Sequence, residues 1–159
     1  MIIREYKPED REAAEKCLFE LQEEDYNRYP YFWVTPGEAT PKYLPYLLDK
    51  IKDKGKLFVA EVDGVVAGLA SVFVVDENDN ASPAYRIKRS AYVTDLVVLS
   101  QYRKMNVGHE LLKAAEIFAR ENKAKYLALD VQFGNPAVDF YHKQGFTERS
   151  MWMNKELNE

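Results

Sequence analysis

The chain has 159 residues, 47% of them apolar and 30% charged, with a formal charge of −4. That composition excludes a disordered chain and disfavours a general nucleic-acid binder. One cysteine, Cys17, excludes an internal disulfide, and with only His109 and His142 beside it the chain cannot supply a zinc site of the usual type. No apolar run approaches the roughly 20 residues of a membrane span. The opening MIIREYKPED turns charged at Arg4, unlike a secretory signal. The expectation is one cytoplasmic domain over residues 1–159 that binds neither nucleic acid nor membrane.

Ile2 to Tyr6 reads as a short strand, and Pro8 suits a first helical turn. Ala13, Ala14, Cys17, Leu18 and Leu21 recur at three- and four-residue steps, which predicts an amphipathic helix over 9–22. Residues 23–45 carry acids, aromatics and four prolines and read as a structured connector, with a second helix over 42–54 stopped by Gly55. Asp63-Gly64 between two β-branched runs, 57–62 and 65–75, signals a hairpin. A polar loop over 76–84 follows, then a strand over 91–99, a helix over 107–122, a strand over 126–131, a helix over 136–144 and a closing strand over 146–155. This order implies helices packed around a mixed sheet, an α/β or α+β class, with a right-handed parallel crossover from residue 91 to 131.

The most informative segment runs from Tyr92 to Leu112: a buried strand, a short polar loop with Arg103 and Lys104, and a helix opening at Val107. Unpaired N–H groups and the dipole at such a helix start favour an anion, and Gly108 lets a ligand approach the backbone. A phosphate or pyrophosphate is the ligand this predicts; a plain basic loop is the competing reading. Neither the P-loop nor the dinucleotide glycine pattern is present.

With Arg103-Lys-Met-Asn-Val-Gly108 after the strand Leu96-Val97-Val98, and Asn135 through Tyr141 to Gly145-Phe146 downstream, the chain resembles the GCN5-related N-acetyltransferase (GNAT) superfamily. The resemblance implies a mixed, mostly antiparallel sheet of six to seven strands flanked by about four helices, with a splayed parallel pair forming an acetyl-CoA cleft. It implies an acetyl-CoA-dependent N-acetyltransferase. By similarity, Leu96, Val97 and Val98 would pair with the pantetheine arm. The loop Arg103, Lys104, Met105, Asn106, Val107, Gly108 and His109 would cradle the pyrophosphate, Asn135 would face the cofactor arm, and Tyr141 would protonate the departing thiolate. The family's first glycine is Asn106 here, the non-glycine residue that best tolerates a left-handed backbone.

Asp95 is the acidic residue expected as a general base, with a solvated or capping role as the alternative. Glu23, Glu24 and Asp25, with Tyr26, Tyr29, Tyr31, Phe32 and Trp33, read either as a wet surface or as a carboxylate patch and aromatic wall for a cationic amine; Glu23, Glu24, Tyr26, Tyr31 and Trp33 are the substrate-binding candidates. The leading acceptor is a small primary amine, polyamine or aminoglycoside-like. The alternatives are a protein N-terminus or lysine, or an acyl-CoA-binding regulatory module. No metal site is expected. Cys17 reads as a core thiol, Asn80-Ala-Ser82 as an idle glycosylation pattern, Arg86, Lys88 and Arg89 as a wet basic edge or a 3′-phosphate contact, and Met151-Trp152-Met153 as a homodimer interface or core cover.

Overall fold

A computed structural model describes residues 1–76 and 89–157. The chain runs β1 (Ile2–Glu5), α1 (Arg11–Arg28), α2 (Pro36–Ile51), β2 (Gly55–Val62), β3 (Val65–Val75), β4 (Ser90–Val98), α3 (Val107–Glu121), β5 (Tyr126–Leu129) and α4 (Ala137–Lys143). Short 3-10 turns at Pro8–Asp10 and Ser100–Tyr102 precede α1 and α3. The five strands lie in the order β1-β2-β3-β4-β5, antiparallel except for the parallel β4–β5 pair. Asp63 and Gly64 take φ of 50° and 79°, the two positive values a type I′ hairpin requires. Among the described residues no helix is long and apolar enough to cross a membrane.

The sheet carries a core on each face. On one, Ala14, Cys17 and Leu18 of α1 and Leu44 and Leu47 of α2 pack on Val59, Leu69 and Val97. On the other, Leu111, Leu112 and Ala115 of α3 pack on Ala70, Val72 and Val93. Cys17 is a core residue, and burial pushes its thiol up to about 12. Gly68 lets β3, β4 and α3 close together, because a Cβ there would stand 2.5 Å from the Val97 carbonyl and 3.3 Å from Leu111.

Three expectations change. α1 continues to Arg28, because nothing between Gln22 and Arg28 breaks a helix and Pro30 excludes Tyr29 from one. The connector is therefore short. α2 starts at Pro36 and holds Pro41 and Pro45 within it. Both prolines lie on the exposed face of the helix, while Pro36, Thr40, Leu44, Leu47 and Ile51 form the buried stripe. Finally, the sheet has five strands in place of six to seven, since the described part of 146–157 forms none. Met151, Trp152 and Met153 are 73%, 93% and 83% exposed. Three consecutive bulky apolar residues lack the alternation that seats a strand on one core, and the free edge of β5 offers only four residues to pair with.

Candidate active site

The parallel β4–β5 ladder runs from Ser90↔Tyr126 to Val93↔Leu129 and stops. β4 continues to Val98 along β3, so from Thr94 onward the side that faced β5 is open. The cause is local. Val72 pairs with Val93 but Ser71 pairs with Asp95, so Thr94 is a bulge with no partner on β3. A bulge bends its strand and shifts the side-chain phase by one residue. Ala91 and Val93 face α3; beyond the bulge Val97 and Leu99 face α1 and α2, and Leu96 and Val98 take over the α3 side. One residue thus opens the cleft and turns Asp95 toward α1 and α2.

Asp95 is 5% exposed. Its Oδ1 accepts from the Tyr43 hydroxyl at 2.9 Å and its Oδ2 from the Ser71 hydroxyl at 2.7 Å, while its N–H donates to Ser71 Oγ at 3.0 Å. Ser71 also touches the Thr94 hydroxyl, tying the bulge to the same network. Burial first, and then the Asp95 charge, push the Tyr43 hydroxyl far above its ordinary range. Just past β4, Leu99 N–H donates to Ala67 O at 2.9 Å. The antiparallel alternation therefore gives the backbone groups of Val97 to β3 and points those of Leu96 and Val98 into the opening.

The loop into α3 has the left-handed conformations a ligand cradle needs. Lys104 and Asn106 take φ of 63° and 65°, so asparagine holds the backbone that the family's glycine would, and its side chain donates to Glu110 Oε1 at 3.4 Å. Lys104 and Met105 are exposed, and Val107 turns its side chain into the core. A Cβ on Gly108 would lie 3.5 Å from Phe140 and 3.6 Å from Val98. Nothing in the protein forbids that atom, so its absence widens the gap between β4 and α4. Arg103 turns aside: its guanidinium donates to Val98 O at 3.1 Å and pairs with Glu20 and Glu24 of α1. His109 Nδ1 lies 2.6 Å from Gln144 Oε1, joining α3 to the end of α4.

α4 closes the far wall. Asn135 accepts from Ala137 N–H at 2.9 Å and so caps the helix. Gly145, at φ 86°, terminates it and returns Phe146 to within 5.9 Å of the Tyr141 ring. Burial, with a smaller effect from the Asp25 charge, pushes the Tyr141 hydroxyl up to about 12. Opposite, Arg28 at the end of α1 donates to Gln132 Oε1 at 3.0 Å and meets Asp25 at 3.4 Å, and the Tyr29 hydroxyl donates to Phe133 O at 3.0 Å. These bonds join the α1 end to the loop between β5 and α4. Burial raises the Asp25 carboxyl above its ordinary range; Arg28 opposes this, and Glu24 and Asp95 add to it.

The structure thus sets Gly108, which follows the Lys104–Asn106 loop, beside Val98 of β4 and Phe140 of α4, with Asn135 and Tyr141 at and on α4, while Asp95 lies buried against Tyr43 and Ser71. Glu23 is exposed, Glu24 is paired with Arg103, Tyr26 is half-buried, and Tyr31 and Trp33 are exposed on the α1–α2 connection. Arg89 pairs with Asp76 at 2.9 Å, whereas Arg86, Lys88 and the Asn80-Ala-Ser82 pattern lie outside the described residues. Sequence reasoning missed Tyr43, Ser71, Arg28, Gln132 and Gln144. The one signal available was the polar pair Thr94-Asp95 interrupting an apolar strand.

Comparisons with known proteins agree with this geometry. The model of the acetyltransferase (GNAT) family matches residues 16–146. An N-alpha-acetyltransferase of Sulfurisphaera tokodaii is 32% identical over 115 residues, 69% of each chain, and one of Sulfolobus acidocaldarius is 28% identical over 115 residues, 69% of this chain and 68% of that one. Among solved structures, a mutant BH1408 protein from Bacillus halodurans superposes with a TM-score of 0.82 at 19% identity, over 99% of this chain and 100% of that one. A GCN5-related N-acetyltransferase from Ralstonia eutropha gives 0.73 at 16%, over 98% and 97%. The chain belongs to the GNAT acetyltransferase family and is an acyltransferase, an N-acetyltransferase of the kind that uses acetyl-CoA.

Proposed function

We propose that the chain acetylates the α-amino group at a polypeptide N-terminus. The observation that carries this reading is that both curated relatives bear the name N-alpha-acetyltransferase. It displaces the small polyamine or aminoglycoside-like acceptor as the leading candidate, and the pairing of Glu24 with Arg103 supports the change by removing one carboxylate from the patch that suggested a polycation. The exposed Tyr31, Phe32, Trp33 and Val34 beside the α1 end give a peptide an apolar surface to lie against.

The residues present fit acetyl-CoA. The left-handed Lys104 and Asn106 and the start of α3 aim N–H groups as a phosphate cradle does. Leu96 offers its backbone groups and Val98 its N–H to the amides of the pantetheine arm, the Val98 carbonyl being held by Arg103, with the Asn135 amide hydrogens facing the same arm. An N–H of β4 serves as the oxyanion donor. Tyr141, protonated throughout the working pH range, gives its proton to the leaving sulfur. Bound acetyl-CoA supplies the activated acetyl carbon.

The test is thiol release from acetyl-CoA with peptides bearing free N-termini, the same peptides blocked at the N-terminus but carrying lysine, and polyamines. Release with the first set and mass addition at the N-terminus are expected; release with polyamines alone would overturn the reading. Gly108→Ala is expected to weaken acetyl-CoA binding several-fold while leaving melting unchanged or slightly higher, since alanine is the better helix former by about 1 kcal/mol. A homodimer through Met151, Trp152 and Met153 is part of the proposal, supported by their exposure. A monomer in sedimentation at micromolar concentration would remove it.

A further inference from the structure

We infer that Asp25, and not Asp95, is the carboxylate that meets the acceptor amine: it binds the ammonium and takes its proton at the end of α1, while Asp95 is a positioning residue that holds the β4 bulge. The inference rests on the proposed α-amine acceptor only for the choice of test peptide.

The two carboxylates differ in what they have left to offer. Asp95 is 5% exposed, and each of its oxygens already accepts from a hydroxyl, Tyr43 at 2.9 Å and Ser71 at 2.7 Å. An ammonium reaching it would have to displace the Tyr43 or Ser71 hydroxyl from a carboxylate buried among them. Asp25 is differently placed. Its side chain keeps 21% of its surface, and its one charged partner among the described residues, Arg28, stands at 3.4 Å while giving its shorter bond, 3.0 Å, to Gln132. The same Arg28–Gln132 bond, with Tyr29 on Phe133, fixes the α1 end across the opening from α4.

The charges that face Asp25 complete the case. They are Glu24 and Arg28 on α1 and Asp95 on β4, with the hydroxyls of Tyr43 on α2 and Tyr141 on α4 within electrostatic reach. Glu24 is held by Arg103. Arg28, at 3.4 Å and bonded more closely to Gln132, is then the one cation against Asp25 among the described residues, and the Asp95 charge lies within electrostatic reach, so an ammonium would meet a carboxylate with room for a second positive partner. Burial and like charge also make Asp25 a stronger proton acceptor than an ordinary aspartate.

The protons balance as follows. The ammonium gives one proton to Asp25, whose exposed edge passes it to water. The neutral nitrogen forms its bond to the acetyl carbon as the carbon–sulfur bond breaks, the electron pair leaving on sulfur. Tyr141 protonates that sulfur, and the second nitrogen proton, taken by Asp25, restores Tyr141. One proton is released for each amide formed.

The experiment compares Asp25→Asn, Asp25→Glu and Asp95→Asn with the parent chain. Calorimetry on the CoA-bound enzyme reads the affinity for one peptide with a free and with an acetylated N-terminus, alongside acetyl-CoA affinity, melting and the pH profile of kcat/KM. Asp25→Asn is expected to lose about tenfold in affinity for the free-amine peptide only. Its melting should not fall, its acetyl-CoA binding should stay unchanged, and its kcat/KM should follow the amine's own ionisation near about pH 8. Asp25→Glu should recover part of the loss. Asp95→Asn should lower melting and acetyl-CoA affinity yet keep the preference for the free amine. An Asp25→Asn variant that still prefers the free amine, or a stably folded Asp95→Asn variant that does not, overturns the assignment. If the parent chain instead acetylates only a polyamine, the α-amine reading fails, and the same variants measured on that polyamine decide Asp25 separately.

Discussion

Two aspartate–arginine pairs lie at opposite ends of the first helix and behave in opposite ways. Before α1, Asp10 takes both terminal nitrogens of Arg4 at 2.7 and 2.8 Å and the Lys7 N–H at 2.8 Å. Arg4 in turn reaches Glu61 of β2 at 3.0 Å, so the pair rivets the start of α1 to the sheet edge. The Arg4 hydrogen bonds hold the Asp10 carboxyl below its ordinary value of 3.8. Near the end of α1, Asp25 meets Arg28 at a single 3.4 Å contact, and burial raises its carboxyl. The same two residue types give a closed structural joint in one place and an unsatisfied carboxylate in the other. The number and length of the hydrogen bonds decide which.

The largest expected effect tests the closed joint. Asp10→Asn removes a charge around which three donors, two from Arg4 and the Lys7 N–H, have been arranged, and leaves Arg4 with Glu61 alone at a site where Asp10 is 8% exposed. Breaking such a pair from one side costs about 3 kcal/mol, to be read from urea unfolding; a loss under about 1 kcal/mol would class the joint with ordinary surface pairs. The pH sign follows. Because the folded carboxyl is the more acidic, its stabilisation is present above the ordinary value of 3.8 and disappears as pH falls through the folded value. The gap between the parent chain and Asp10→Asn should therefore close in acid.

Next in size is the effect at the open end. Tyr141→Phe keeps the ring contacts with Phe140 and Phe146 and removes the hydroxyl. Loss of a general acid should lower kcat about tenfold or more with little change in melting. Unchanged turnover would take Tyr141 out of the proposed mechanism and leave Asp25 facing a packing residue.

The contrast between the two pairs also marks what was legible in the sequence. Periodicity found the helices and strands that bury a stripe, such as Leu111, Leu112 and Ala115 of α3, because burial repeats with the backbone period. The Asp63-Gly64 turn and the left-handed Asn106 were readable because few residues adopt those backbones. Asp10, Tyr43, Ser71 and Gln132 were not. Each acts through a partner between 6 and 104 positions away in sequence, and no local pattern records such a distance. The bulge at Thr94 is intermediate: the interruption was visible in the strand, but which face Asp95 would take depended on the register with β3. The strand expected at the C-terminal end failed for the converse reason, since its composition was suitable and its alternation was not.

The smallest effect carries the sharpest sign. A carboxyl raised on folding binds its proton more tightly in the native state than in the unfolded chain, so it contributes stability below the ordinary value of 3.8 and that contribution is lost as pH rises through the folded value. At neutral pH Asp25 is therefore held as a carboxylate against the preference of the fold. Asp25→Asn should leave stability unchanged or raise it by up to about 1 kcal/mol at neutral pH, with the difference shrinking below pH 3.8, measured by urea unfolding across the range. Asp10→Asn moves the other way under the same conditions. A destabilised Asp25→Asn chain at neutral pH would make the Arg28 contact a second structural joint. A chain that gains stability while losing the amine would identify Asp25 as a group kept for function at the expense of the fold.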